Sequence, residues 1–515
     1  MDDTHKLALE TINLGKQALI FVSSRSSAEK TAEDISKFTN LHLPELEQEI
    51  LKAVSTPTKQ CRRLSQCVKK GIAFHHAGLL QKQKNLIEDE FRSGRIKIIC
   101  CTPTLAAGMS LPAFRVIIKS LKRYSGRWGM DWIPVLEYLQ MAGRAGRPEY
   151  ESFGEAVTIA KTEKEKEEIY ERYVCGEPEE IYSKLAVEPV LRTYLLSLVS
   201  SGVIRDDKTM KDFFGKTFWA YQFKDMDKLE SIMEKMLTLL DEWDFVQVNE
   251  SSKGDFVSAS SLDNKNKTLR PTRLGKRISE LYLDPLTAKH LLDCLGKYGE
   301  ENKSEHKKVF SLLQMICHTL EMRPLLRIKS KENDFIQEEL AKNYDSLLEE
   351  EPSAYDLEYD EFLNSIKTAL FFESWVDEKD EDFLLEKYDV RPGEIRVKLE
   401  TADWLLYACS ELAEINGNNE AVKELRKLRL RLKHGAKEEL LPLLKLKGIG
   451  RIRARKMFSH GIKDLGEVKK VDLTSLAQLL GKVLAETVKK QVGEEIKGIP
   501  KGTRKGQLSI EKFQN

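Results

Sequence analysis

Gln17-Ala18-Leu19-Ile20-Phe21-Val22-Ser23 (QALIFVS) is an apolar run too short for a helix, and it reads as a strand buried on both faces. From Ser26 to Phe38 the apolar positions then fall at helical spacing. The alternation recurs along the next stretch. Gly71 to Phe74, Ile96 to Cys101, Arg115 to Ile118 and Glu155 to Ile159 are further strand candidates with helical patterns between them. Short buried strands separated by helices predict a doubly wound parallel sheet. Ligands of such sheets bind at the carboxyl ends of the strands.

After about Lys161 the pattern changes to long amphipathic helices. Leu191 to Val203, Leu229 to Trp243 and Phe245 to Leu274 predict helices and a short strand pair, which together suggest a winged helix. From Pro285 to Leu432 nearly everything has helical period, as in a helical bundle. Pro392-Gly393 and His434-Gly435 mark breaks, and Gly498, Pro500 and Gly502 among lysines mark a flexible tail. A chain of 515 residues holds several cores. The expected segments are 1–165, 166–285, 286–433, 434–495 and 496–515, in a multidomain chain that is α/β first and mostly α afterwards.

The net charge of +1 hides an uneven distribution. Between Lys331 and Glu400 there are 22 acids against 8 bases, and from Lys423 onward 24 bases against 10 acids. A basic end on a neutral chain implies a polyanionic partner that touches part of the surface. The eight cysteines include no Cys-x-x-Cys pair, which fits a reducing, cytoplasmic setting and argues against a zinc site or disulfide framework. No apolar run approaches a membrane span, and the first residues do not resemble a signal peptide.

Three segments of the first region carry specific chemistry. In Gln140-Met141-Ala142-Gly143-Arg144-Ala145-Gly146-Arg147-Pro148, two arginines three apart at an expected helix start can reach one phosphate group. Guanidinium groups grip phosphate oxygens in a planar fork and stay charged. An arginine reaching across a cleft can stabilise phosphoryl transfer. Taken alone, the same residues also fit a basic helix start on a solvated face. Cys101-Thr102-Pro103-Thr104-Leu105-Ala106-Ala107-Gly108 follows a strand and is rich in small and hydroxyl residues, so backbone N–H groups and threonine hydroxyls can approach phosphates. Ser24 and Arg25 end the first strand, and His75-His76-Ala77-Gly78-Leu79 ends a later one. Adjacent histidines on a strand point apart, which weakens a metal reading.

These motifs resemble motifs IV, IVa, V and VI of superfamily 2 helicases. The wording HHAGL, TPTLAAG, LPA, IPVLEY and QMAGRAGRP is similar to that of the archaeal HelQ/Hjm-type DNA helicases, a Ski-like group. The resemblance extends through LGKRISELYLDP (Leu274 to Pro285) to Gly448-Ile449-Gly450-Arg451 and covers nearly the whole chain. It implies that residues 1–165 form a second RecA-like domain, with ATP and Mg²⁺ as cofactors. It implies further that Arg144 and Arg147 contact ATP phosphates, with Arg147 the finger. Gln140 would couple nucleotide to DNA, and Thr102, Thr104 and Gly108 would line the nucleotide or DNA cleft. Ser24, Arg25 and His76 would face DNA.

A motor of this class needs a phosphate loop, Gly-x-x-x-x-Gly-Lys-Ser/Thr, and an acidic Mg²⁺ box ahead of these motifs. Only about sixteen residues precede the first strand, against the roughly 100 a domain requires. Gly215-Lys216-Thr217 is a decoy, with Met210 where the first glycine belongs. Asp241-Glu242-Trp243-Asp244 is another, because it ends an amphipathic helix. The expectation is that these residues alone do not hydrolyse ATP, and that a first RecA-like domain comes from another polypeptide or from a longer chain.

The remaining candidates concern DNA. Lys122 to Trp132 suits a hairpin with Gly126 and Gly129 at its turn, and the resemblance makes it a duplex-splitting wedge tipped by Trp128. Arg396 and Trp404, about 80° apart on one helix, match a ratchet helix that stacks on unwound bases, although Val397 stands where a second basic residue is common. Gly448-Ile449-Gly450 with Arg451, Arg453, Arg455 and Lys456 resembles a helix-hairpin-helix that contacts DNA through phosphates. Leu479 to Val488 resembles its second half. Gln507, Ile510 and Phe513 resemble a peptide that binds the PCNA sliding clamp, with Gln514 in place of the usual second aromatic residue. The function implied is a 3′-to-5′ helicase that translocates on single-stranded DNA and opens forked or branched DNA in repair. The alternatives are an RNA helicase fragment of the Ski/Mtr type and a non-enzymatic DNA-binding module.

Overall fold

The computed structural model describes residues 2–54, 57–108, 111–124, 130–146, 152–250, 267–298 and 305–493. The chain packs as two units. One comprises residues 1–187, 214–229 and 381–398, and the other the rest. The units cut across linear order, since a short piece of the acidic helical region folds with the N-terminal sheet.

In the first unit, strands β1 (Ala18–Phe21), β2 (Ile72–His75), β3 (Ile98–Cys101), β4 (Arg115–Ile118) and β7 (Glu155–Thr158) form one parallel sheet in the order β2-β3-β1-β4-β7. Every residue of β1, β2, β3 and β4 is buried. That is the physical reason they read as continuous apolar runs rather than as alternation. Helices Arg25–Ser36, Lys59–Val68 and Gln81–Arg92 close the core with Ala28, Ala32, Ile35, Leu64, Val68, Ile87 and Phe91. The buried Arg115 guanidinium ties β4 to Glu155 of β7 at 2.6 Å and to Thr11 of the first helix at 3.0 Å. Strands β5 (Lys122–Tyr124) and β6 (Met130–Trp132) pair antiparallel as a separate hairpin. The residues between them, which include Trp128, lie outside the described residues.

In the second unit, helix Glu188–Ser200 packs on helix Arg273–Glu280 and on a hairpin of β8 (Val246–Glu250) and β9 (Lys267–Pro271). Gly275 is required there, because a Cβ would stand 1.9 Å from the Phe245 carbonyl oxygen. Arg192 holds Asp284 through two hydrogen bonds of 2.6 and 2.9 Å, and Asp284 in turn caps helix Pro285–Lys297. Helices Glu305–Cys317, Tyr359–Val376 and Asn419–His434 form a bundle. The helix Asn419–His434 ends at Gly435 with φ +60°, a left-handed cap. A separate small core follows, built from Leu440, Leu443, Ile449, Ala454, Met457, Leu476 and Val488.

Among the described residues no helix is long and apolar enough to cross a membrane.

Candidate nucleotide and nucleic-acid site

A groove of about 440 Å³ opens where β1, β3 and β4 end, lined by Ser23, Thr104, Ser120, Lys122, Arg123, Glu137 and Gln140 among others. It brings three of the sequence motifs to one place through the topology of the sheet. Helix Thr104–Gly108 begins three residues past the end of β3, and the Thr102 and Thr104 hydroxyls sit 2.9 Å apart. Gln140 lies exposed on the last full turn of helix Val135–Ala142. That helix has no capping side chain of its own. Glu179 supplies one from 44 residues away, accepting from the Val135 N–H at 2.6 Å and the Leu136 N–H at 3.2 Å. These backbone donors hold the Glu179 carboxyl below its usual range. On the far wall the Arg123 guanidinium pairs with Glu137 at 2.8 Å, and the Lys122 ammonium sits 4.0 Å from the Trp132 ring centroid.

Arg144 does not open a helix, as the sequence suggested, but follows one. The helix stops at Ala142, and the chain turns through Gly143 into a bridge between Ala145 and Ala113. Two backbone bonds make that bridge, Ala113 N–H to the Arg144 carbonyl (2.9 Å) and Gly146 N–H to the Ala113 carbonyl (2.7 Å). They take the backbone groups that another helical turn would need. Arg144 is half-buried and donates to the Ala106 carbonyl. Its Nε is buried with no hydrogen-bond partner, and among the described residues no carboxylate pairs with it. A buried guanidinium nitrogen without an acceptor fits an anion. Arg147 lies outside the described residues. Among the described residues no group of three or more His, Cys, Asp or Glu could hold a metal ion.

Other candidates are placed differently. Ser24 is the N-cap of helix Arg25–Ser36, its hydroxyl accepting from the Ser27 N–H at 3.2 Å. Arg25 pairs with Glu394. His75 and His76 do point apart. His75 meets Glu88 at 2.9 Å, whereas His76 is buried, stacked on Phe74, and accepts from the Gly78 N–H at Nδ1 (3.1 Å). His76 Nε2 lies obliquely 3.2 Å from Glu29. Burial lowers the His76 pKa, so the ring is neutral at physiological pH. His76 therefore presents no face to nucleic acid, because the sheet end it occupies is closed over by the residues around Glu29.

In the second unit, Trp404 on helix Pro392–Ile415 is half-buried and anchors its indole N–H on the Leu281 carbonyl at 3.1 Å. Arg396 is exposed on the same helix. Gly448 has φ +88° and Gly450 caps helix Arg451–Ser459, so that helix begins with bare, exposed backbone. The basic run divides by face, as helical spacing demands. Arg451 stacks 4.5 Å from the Trp375 ring centroid and donates to the Lys379 carbonyl at 3.1 Å. Arg455 bonds Glu378 through Nε at 2.8 Å and pairs with Glu439 at 2.7 Å. Arg451 and Arg455 are thus occupied in joining this element to the bundle, and Arg453, on the other face, is the exposed arginine of the three. Gln507, Ile510 and Phe513 lie outside the described residues.

The family description "Helicase conserved C-terminal domain" matches residues 2–149, and "Archaeal helicase, domain 4" matches residues 310–435. A curated relative from Pyrococcus horikoshii, "ATP-dependent DNA helicase Hel308", is 36% identical over 98% of this chain and 67% of its own length. The chain belongs to the Hel308 helicase family. The Hel308 of Methanocella arvoryzae is 35% identical over 98% of this chain and 66% of its own, and that of Methanococcus vannielii 34% identical over 98% and 68%. The chain thus spans about two thirds of the length of the Hel308 relatives it matches.

The residues that reading the sequence missed are Glu29, Gln60, Arg63, Arg391 and Gly393. Nothing in the local pattern links position 29 to position 391.

Proposed function

We propose that these residues form the translocating part of an ATP-dependent 3′-to-5′ DNA helicase that opens forked DNA. The observation that carries the reading is the groove shared by Ser23, Thr104 and Gln140, with an unpaired Arg144 Nε in the turn that follows the Gln140 helix. Residues of three separate motifs meet there, and the chain aligns almost end to end with Hel308 proteins. Arg144, and Arg147 beside it, would meet the phosphates of ATP, where a fixed cation stabilises charge that grows in the transition state. When bound, ATP with Mg²⁺ supplies the driving reaction. The phosphate loop is not among these 515 residues, so the proposal assigns it, with the Mg²⁺ ligands, to a first RecA-like domain elsewhere in the protein or on a partner.

The same reading makes residues 166–285 a winged helix and helix Pro392–Ile415 a ratchet whose Arg396 and Trp404 meet unwound bases. It makes residues 434–495 a helix-hairpin-helix gripping phosphates through the Gly448–Gly450 turn. The C-terminal tail is assigned to a sliding clamp.

Strand-separation assays on a forked duplex test the proposal. The chain combined with the phosphate-loop domain should open the fork in an ATP-dependent way, and the chain alone should not turn over ATP with single-stranded DNA. Preference for single-stranded RNA over DNA of equal length would sink the DNA assignment.

A further inference from the structure

Of the motif side chains after β1 and β2 that stay out of the groove, His76 lies against a buried carboxylate and Arg25 pairs with Glu394 nearby. Glu29, on helix Arg25–Ser36, is 4% exposed. Its carboxylate accepts from Gln60 Nε2 at 2.9 Å, Arg63 at 2.7 Å and Arg391 Nε at 3.1 Å, and His76 lies 3.2 Å away. Burial by itself would raise the Glu29 pKa, but the contacts from His76, Gln60 and Arg391 outweigh it and hold the group well below the usual range. The carboxylate is therefore ionised and fully engaged.

Arg391 is the distant member. It immediately precedes helix Pro392–Ile415, and it also donates to the Ser26 hydroxyl at 3.3 Å. Three residues on, Glu394 accepts from the Arg391 N–H at 3.1 Å and pairs with Arg25. Backbone meets backbone at the same place. The Gly393 N–H donates to the Gly78 carbonyl at 3.0 Å, and a Cβ on Gly393 would lie 2.5 Å from the Ala77 carbonyl oxygen. A Cβ on Gly78 would lie 2.6 Å from Arg391 Cδ. Two glycines thus allow a close approach that Glu29 and Arg25 lock with charge and Ser26 with a hydrogen bond. The exposed pair Lys59–Glu386, with the Lys59 N–H on Asp382 at 3.1 Å, extends the contact along the preceding segment.

We infer that Glu29 is a positioning residue that fixes the head of helix Pro392–Ile415 to the parallel sheet, so that movement of the sheet is delivered to that helix as a rigid displacement. The gripping helix starts two residues after Ser23, which lines the groove, and the gripped helix carries Arg396 and Trp404. A buried ion pair with saturated hydrogen bonding is stiff, because any excursion leaves an uncompensated charge. The inference rests on the helicase reading and adds a coupling role to it.

The test uses the unwinding-competent assembly, this chain together with the phosphate-loop domain, and reads two rates: ATP hydrolysis stimulated by single-stranded DNA, and base pairs opened. In Glu29→Gln, hydrolysis should stay within about twofold, while base pairs opened per ATP fall about tenfold. Arg391→Gln should show the same split, and Arg391→Lys should recover a large part of the ratio. Arg391→Gln decides the question if Glu29→Gln does not fold. An unchanged ratio, whether both rates fall equally or neither falls, would overturn the inference and leave Glu29 a structural role at most. If the unsubstituted assembly neither hydrolyses ATP nor opens DNA, the helicase reading falls and this inference with it.

Discussion

Arg144 and Arg391 are both half-buried arginines of the first unit, and their surroundings are opposite. Arg391 sits against an ionised carboxylate and a serine hydroxyl, while Arg144 touches a single carbonyl and leaves a buried Nε without an acceptor. The first arrangement is complete without a ligand, and the second leaves a buried donor that an anion would satisfy. A guanidinium whose hydrogen bonds are already made contributes rigidity. One held in place but short of a partner is prepared for an anion, at a cost in stability that binding recovers.

Arg144→Ala in the reconstituted helicase should lower kcat for ATP hydrolysis by about 10³-fold, the scale of an arginine finger. It should leave the urea midpoint of the chain nearly unchanged. A large loss of stability without loss of turnover would reverse the contrast.

The opposite profile is expected at the Glu29 node. Glu29→Ala strands Arg391 and Arg63 beside a space with no charge, and should cost about 3–5 kcal/mol in urea unfolding of the 515-residue chain. Gly393→Ala pushes a methyl into the Ala77 carbonyl and should cost about 1–3 kcal/mol in the same measurement.

The C-terminal basic run repeats the contrast on a smaller scale. Arg453→Ala should leave stability within about 0.5 kcal/mol, yet weaken binding to DNA of any sequence and reduce the slope of affinity against salt by about one. A variant with an unchanged salt slope would show that this face does not meet phosphate. Arg455, paired with Glu378, sets a pH dependence instead. Burial would raise the Glu378 carboxyl, but Arg455 and the Lys437 N–H hold it below its ordinary value. A depressed folded pKa means that the unfolded state binds more protons in the window between the two values, so stability falls as pH drops. The stability gap between the chain and its Glu378→Gln variant should be flat from pH 8 to about 5 and shrink below about pH 4.

Much of the first unit was legible in its residues. Each buried strand was a mostly apolar run within two residues of its final bounds, because burial on both faces favours apolar side chains. The helix ends at Pro392 and Gly435 followed from proline and glycine chemistry. The faces of the basic run were legible in principle, since i and i+4 spacing puts Arg451 and Arg455 together. What their shared face would meet was not, because Trp375 and Glu378 are far away in sequence. The helix start expected at Arg144 failed for a similar reason. The bridge to Ala113, 32 positions before its partner Ala145, takes the backbone groups that another turn would need.

The sequence by itself determined the parallel sheet, the motif residues at its strand ends and the family to which they belong, because these depend on side-chain type and local spacing. Only the tertiary structure decided which polar motif residues face open space and which are spent inside. A carboxylate and an arginine 362 positions apart become partners through the path of the chain, and that path is set by packing between elements rather than by anything written near either residue.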